Sequence, residues 1–337
     1  MTDKLYQAQT EKVLDQIWKD LDMKRRKRRR VRLKRAAVAA ASLLFFTFLF
    51  CIWGNSRFEV TFYQVETGKF VDSIRIVGIT DLHNAQFGID NKGLIDRIAA
   101  LEPDLVLIAG DMIIFGDEDI DPAVSLCRKL TGIAPTFYSY GNHENKMVYG
   151  SDLTPEFLKQ QAEKMGMRNE SDLDFADIPM IDESLPKALS EAGVVLLNNN
   201  TDSIQIKGRT VDLAGINQES GAYYPYSNQM MNEFLLKNTE NLKIIIAHRP
   251  TMETVIASQE WLQYDLLFCG HTHGGLIRIP GLGGMFRSGS IWPLFAGMDA
   301  GMHGNEQGTM ILGRGLGNSN FVPRIFNLPE LIVADIY

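Results

Sequence analysis

VDSIRIVGITDLH, residues 71–83, is a run of β-branched and apolar residues that ends abruptly in an aspartate and a histidine one residue apart. A strand covered on both faces reads as a continuous apolar run, so this stretch predicts a buried strand with polar side chains at its carboxyl end. The same text recurs downstream. DLVLIAGD (104–111), TFYSYGNHE (136–144), LKIIIAH (242–248) and DLLFCGHTHGG (265–275) are short apolar runs, each closed by Asp, Asn, Glu or His. Helical segments are expected between and after them at Ile89–Leu101, Asp121–Leu130, Ser184–Ala192, Ser227–Leu236 and Thr251–Ser258. Strands alternating with helices predict an α/β domain, and sites in open α/β sheets lie at the carboxyl ends of the strands.

Further out the rhythm weakens. Residues 146–183 form a polar, acidic insertion with one expected helix, Thr154–Met165, which either covers the site or is a surface excursion. VVLLN (194–198) reads as a strand, and SIQIKGRTVDLAGI (203–216) as a hairpin turning near Gly208. The tail beyond Gly274 is glycine-rich, then strand-like at LIRIP, TMILG and ELIVADI.

Five of the six histidines fall in the polar segments that close the strands: DLH at 81–83, GNHE at 141–144, His248 before Arg249, and GHTHGG at 270–275, joined by Gly110-Asp111. A single segment of this kind is an ordinary polar turn. Five in this order suit two divalent cations about 3.5–4 Å apart, which need one shared anionic ligand and further donors on each side. Imidazole and carboxylate favour Mn, Fe, Co or Zn, and the three cysteines, Cys51, Cys127 and Cys269, show neither zinc-ligand nor disulfide spacing.

In this order the motifs resemble the signature of the calcineurin-like metallophosphoesterases, over about residues 71–337. Through GHTHGG, GRGLG (313–317) and FNLPEL (326–331) the chain is similar to their membrane-anchored bacterial branch. The resemblance implies a four-layer α/β/β/α sandwich of two mixed sheets. It implies that Asp81, His83 and His273 hold one metal, that Asn142, His248 and His271 hold the second, and that Asp111 bridges them. His143 would face the substrate. On this reading a bridging water, made acidic by two cations, attacks phosphorus, and His143 protonates the leaving oxygen. Glu144 is expected to orient that imidazole or to stand behind the site. Leu276 departs from the branch, which often carries glutamine there. Arg249, Arg314, His303 and the group Tyr223, Tyr224 and Tyr226 carry both structural and substrate-contact readings.

The N-terminus is a different module. Residues 1–35 hold 13 basic and 5 acidic residues, whereas the remainder holds 21 basic and 36 acidic. Residues 4–22 have helical spacing of apolar residues, and 24–35 carry ten positive charges. The 18 uncharged residues Ala36–Trp53 match a hydrocarbon core about 30 Å thick at about 1.5 Å per residue. Flanking positive charge stays cytoplasmic, so a single-pass anchor over 36–54 is expected, with a linker at 55–70 and the domain 71–337 outside the cytoplasm. A cleaved leader is disfavoured by the 35 residues that precede the apolar stretch.

The expected function is therefore metal-dependent hydrolysis of phosphomono- or phosphodiesters, with a lipid-linked or envelope substrate favoured by the anchor. A nuclease of the same superfamily would need a basic groove that so acidic a domain lacks. A non-catalytic module on the same fold would have lost ligands, and here every motif position is filled.

Overall fold

The computed structural model describes residues 2–337 except 71, 118, 152, 168–177, 218–233, 235–239, 251–262, 280, 286–297 and 319–322. Within its helices the side chains of 2–11, 13, 44, 50–53, 55 and 155 are also outside the description. The chain divides into two compact units, Met1–Ile52 and Trp53–Tyr337.

The first unit is helical. One continuous helix, α1, Thr2–Asn55, takes in the amphipathic segment, the basic run and the apolar stretch. Among the described residues no helix is long and apolar enough to cross a membrane. The expected span 36–53 lies partly outside them, since Leu44 and Phe50–Trp53 belong to the side chains not described. Val38, Leu43, Phe45, Phe46 and Phe48 are exposed on this helix.

The second unit is built on two six-stranded mixed sheets. Its strands are β1 Glu59–Val65, β2 Ile74–Ile79, β3 Leu105–Ala109, β4 Thr136–Ser139, β5 Val195–Leu196, β6 Thr201–Ile206, β7 Arg209–Ile216, β8 Leu242–Ala247, β9 Leu266–Cys269, β10 Arg278–Ile279, β11 Gly283–Gly284, β12 Gly301–Gly304, β13 Thr309–Leu312 and β14 Glu330–Ile336. The first sheet runs β1-β14-β2-β3-β4-β5, with β2 to β5 parallel and β14 antiparallel to β2. The second runs β12-β13-β9-β8-β7-β6, with β7, β8, β9 and β13 parallel and antiparallel edges at β6 and β12. A small hairpin, β10-β11, stands apart.

Alternation along each strand explains the layers. Ile74 and Ile76 of β2, with Leu105 and Leu107 of β3, pack against Leu242, Ile244, Leu266 and Phe268 of the other sheet. The residues that alternate with them, Val77, Ile79, Val106 and Ile108, point the other way, onto α2 Lys92–Ala100, α3 Asp121–Thr131 and α6 Ser184–Glu191. Both faces are buried, which is why these strands read as unbroken apolar runs. Beyond the second sheet Ile245, Ala247, Leu267 and Cys269 pack with Phe234. The helices expected on that side, Ser227–Leu236 and Thr251–Ser258, lie otherwise outside the described residues.

Two features depart from the sequence reading, and one expected helix is found. The linker 55–70 contains β1, paired in parallel with β14. Only Val65 of that strand is buried, so it carries little apolar periodicity. The turn after β4 becomes a helix at once, α4 Asn142–Tyr149, which takes the first residues of the polar insertion. The insertion's expected helix is α5, Pro155–Lys164, opened by Thr154, whose hydroxyl accepts the Phe157 N–H at 3.2 Å.

Phe268 crosses the inter-sheet space and lies against Gly78 on β2. Phe268→Ala is expected to cost about 3–5 kcal/mol by chemical denaturation, through lost burial and a residual cavity. A loss below about 1 kcal/mol would show that the sheets do not depend on this contact.

Candidate metal centre

Each motif side chain leaves the carboxyl end of a strand. The turn after β2 carries Asp81 and His83, that after β3 Asp111, that after β8 His248, and that after β9 His271 and His273. Asn142 and His143 open α4 directly after β4. Both sheets therefore contribute, and the turns are tightly bent. Asp81, His83, Asp111, His271 and His273 have φ of 51°, 45°, 53°, 73° and 51°. Side chains with a Cβ rarely adopt this region, at about 1–3 kcal/mol each, and such strain gathers at functional sites. Two turns also touch backbone to backbone. A Cβ on Gly141 would lie 2.2 Å from Asp111 Oδ1, and one on Gly110 would lie 2.2 Å from the Gly141 nitrogen.

Two buried carboxylates occupy the middle. Asp81 Oδ2 accepts from Thr80 Oγ1 at 2.7 Å and from the His271 N–H at 3.0 Å. Its Oδ1 is 3.5 Å from His273 Nε2 and 3.9 Å from His83 Nε2. Asp111 Oδ1 accepts the His143 N–H at 2.9 Å, while Oδ2 is 3.1 Å from His248 Nε2 and 3.8 Å from His83 Nε2. Ring nitrogens face one another as well: His83 Nε2 to His273 Nε2 at 3.3 Å, and His248 Nε2 to His271 Nδ1 at 3.1 Å.

Asp81, His83 and His273 form one group that could hold a metal ion, and Asp111, His248 and His271 form a second. Asp111 Oδ2 lies within 4 Å of a histidine from each group. Asn142 Oδ1 is buried with no hydrogen-bond partner, a condition that costs about 1–3 kcal/mol unless something electropositive meets it. The donor set of imidazole, carboxylate and amide oxygen fits a divalent first-row cation or zinc.

Burial dominates the electrostatics. It holds His83 down to about 4, and it drives His271 and His273 well below the ordinary imidazole range, helped by His248 and His83 respectively. It lifts Asp81 to about 6, opposed by His248 and reinforced by Asp111. Burial also works against the charges of Asp111 and His248, but their mutual attraction and hydrogen bond win: Asp111 falls well below the usual carboxylate range and His248 rises to about 10.

Backbone contacts sort the histidines into two kinds once His248 has given up its second proton. His83 Nδ1 faces the Ile113 carbonyl at 3.2 Å, and His248 Nδ1 faces the Ala109 carbonyl at 2.8 Å. A carbonyl only accepts, so Nδ1 keeps the proton and Nε2 turns a lone pair to the centre. His143 is inverted. The Phe115 N–H donates to its Nδ1 at 2.8 Å, so Nε2 carries the proton, 3.9 Å from Asp111 Oδ2. His83, Asp111 and His143 also fall within ligand spacing, but this tautomer offers the centre a proton rather than a lone pair.

Glu144 corrects the sequence reading in part. The partner of the His143 ring is Phe115, not Glu144. Glu144 is fully buried, and its carboxylate accepts the N–H groups of Asp111, Met112 and Gly141 at 2.8–2.9 Å and the Tyr138 hydroxyl at 2.7 Å. It gathers the turns that carry Asp111 and Asn142.

The softer candidates divide. Arg314 ion-pairs with Glu59 and Glu330. Leu276 is buried. His303 is on β12, an edge strand of the second sheet, with Nε2 3.2 Å from the Ala300 carbonyl. Arg249 is close enough to depress His271. Tyr223, Tyr224 and Tyr226 lie outside the described residues. Sequence reasoning missed Thr80, Phe115, Arg324 and Asn327. The last two meet His273 from 51 and 54 positions away, a separation that leaves no local pattern.

By sequence the chain is similar to known phosphoesterases. A family model described as calcineurin-like phosphoesterase matches residues 74–275. Phosphodiesterase YaeI of Escherichia coli is 27% identical over 250 residues, covering 72% of this chain and 75% of that one. The uncharacterized metallophosphoesterase Cj0846 of Campylobacter jejuni is 27% identical over 222 residues, and the match spans about half of that protein, 49%. Among solved structures, a purple acid phosphatase from yellow lupin superposes with a TM-score of 0.40 at 12% identity, over 79% of this chain and 50% of that one.

Two outcomes follow from the geometry. Gly141→Ala is expected to displace Asp111 and weaken Mn(II) binding at least tenfold by titration calorimetry, where unchanged affinity would refute the close contact. Neither a protonated Asp81 nor a doubly protonated His248 can ligate, so affinity is expected to fall most steeply as pH drops through about 6 and to go on rising above it toward about 10. Loading near pH 7 should also release a proton from His248, visible as a buffer-dependent heat.

Proposed function

The chain belongs to the calcineurin-like phosphoesterases, and on that premise we propose that it hydrolyses phosphoric esters with a pair of divalent cations. The observation that carries the proposal is the position of Asp111 Oδ2 between the Asp81–His83–His273 group and the His248–His271 pair. Asp81, His83 and His273 would hold one cation, Asn142, His248 and His271 the other, and Asp111 both. Such a pair supplies charge that neutralises phosphoryl oxygens and makes a nearby water more acidic.

The chain's own residues supply the rest. Asn142 donates a neutral oxygen, so the centre keeps positive charge for an anionic ester. His143 turns its Nε2 N–H to the edge of the centre, placed to hydrogen-bond the leaving oxygen as negative charge develops there. Phe115 keeps that tautomer in register through its N–H. Glu144 holds the turn of Asp111 against that of Asn142, so both oxygens arrive preorganised. The name of the Escherichia coli relative favours a diester substrate.

We also propose that residues 36–54 anchor the chain in the cell membrane with the N-terminus cytoplasmic and residues 55–337 outside. Support comes from the uncharged stretch after ten positive charges and from the exposed Val38, Leu43, Phe45, Phe46 and Phe48. A tether of this kind suits a lipid-linked or envelope phosphoester.

Turnover of an aryl phosphomonoester, an aryl phosphodiester, a nucleotide-activated lipid and single-stranded DNA, with Mn(II) added, tests the reading. Asp111→Asn is expected to lose at least 10³-fold in kcat by disturbing both groups. His143→Ala should lose about 10²–10⁴-fold, less for esters whose leaving group needs no proton. Wild-type turnover in Asp111→Asn would sink the shared-ligand assignment, and hydrolysis of DNA alone would make the protein a nuclease. Labelling of engineered cysteines beyond Gly54 by an impermeant reagent in intact cells is expected; labelling only after lysis would overturn the topology.

A further inference from the structure

The segment after β13 lies beyond the region matched to the family, yet it is fastened to the candidate centre from behind. The Gly313 N–H donates to the Cys269 carbonyl at 2.9 Å, Leu316 to Thr80 at 3.0 Å and Gly317 to Asp81 at 2.6 Å. Contact is so close that a Cβ on Gly317 would lie 1.9 Å from the Leu82 carbonyl oxygen.

From the same segment Arg324 is driven into the protein, 3% exposed. Its Nε donates to the Gly317 carbonyl at 3.0 Å, and Nη2 to the carbonyls of Gly317 at 2.5 Å and Arg314 at 2.7 Å. Nη1 reaches the His273 carbonyl at 3.5 Å, and Nη2 lies 3.2 Å from His273 Nδ1. Among the described residues Arg324 makes no ion pair. A buried guanidinium answered only by carbonyls is an expensive way to fill space, and an apolar side chain would fill it at lower cost.

What distinguishes the place is His273. That residue holds a strained φ of 51°, turns Nε2 toward Asp81 and His83, and has its carbonyl gripped a second time by Asn327 Nδ2 at 2.7 Å. We propose that Arg324 is a positioning residue for His273, holding its backbone through the carbonyl so that Nε2 meets the Asp81–His83 group, while its Nη2 protons go to the Gly317 and Arg314 carbonyls rather than to the ring. Arg324 thereby ties the C-terminal segment to one of the two cation groups and leaves the other untouched. This inference rests on the assignment of His273 as a ligand.

Equilibrium Mn(II) binding to the full chain tests it, beside His273→Ala as the reference. Wild type is expected to bind two equivalents, and His273→Ala to weaken one. Arg324→Met should weaken that same equivalent about 10–100-fold, the usual scale for residues that support a ligand, and leave the other within about twofold. Arg324→Lys should recover part of the loss. Adding Arg324→Met to His273→Ala should cost little more, because the two changes remove one function. Wild-type affinities in Arg324→Met, or equal weakening of both equivalents together with a fall in the chelator-treated melting temperature, would overturn the proposal. If Arg324→Met does not fold, Asn327→Ala removes the other donor to the His273 carbonyl without removing a charge. It must weaken the same equivalent, and no change there overturns the proposal too. Wild type binding no Mn(II) would instead defeat the metal assignment beneath it.

Discussion

Two carboxylates and several imidazole nitrogens converge, all buried, on a space a few ångströms across. Asp81 Oδ1 and Asp111 Oδ2 point inward while their other oxygens are tied back to Thr80, His271 and His143. Left to themselves such groups repel, and burial has already pushed Asp81 up to about 6 and held His83 down to about 4. The arrangement makes physical sense when positive charge sits among these atoms, and the surrounding structure serves that requirement.

Keeping lone pairs aimed inward demands backbone that would otherwise relax. Five of the seven expected ligands have positive φ, and the GD and GN turns approach so closely that only glycine fits at Gly110 and Gly141. Two rigid sheets pay for this strain. Each contributes strands buried on both faces, and the inter-sheet contacts of Ile76, Leu107, Ile244 and Phe268 fix the distance between the turns. Glu144, on α4, then clamps the turn of Asp111.

Main-chain groups also divide labour among chemically identical side chains. Carbonyls behind His83 and His248 leave Nε2 free to ligate, whereas an N–H behind His143 leaves a proton on Nε2. The distinction between a ligand and a proton donor is thus set by whether the peptide unit behind the ring accepts or donates. The C-terminal segment acts on the backbone instead, with donors from Arg324 and Asn327 meeting the His273 carbonyl.

Reading the chain alone determined the α/β class, the central strands along the chain and the polar segments that close them, because an unbroken apolar run is a local property; that those segments build one centre was implied by the family resemblance. Edge strands were less legible. β1 is scarcely buried, so its residues carry no period to detect. Glu144 could be named but not given its partner 33 positions away, and Arg324 could not be named at all, since it meets His273 from 51 positions away. Only the packing of two sheets decided which carbonyl stands behind which imidazole, which oxygen of Asp111 faces both groups, and what holds His273. Those are distances between segments remote in the chain, and pattern along a chain records neighbours in sequence, whereas a site is made of neighbours in space.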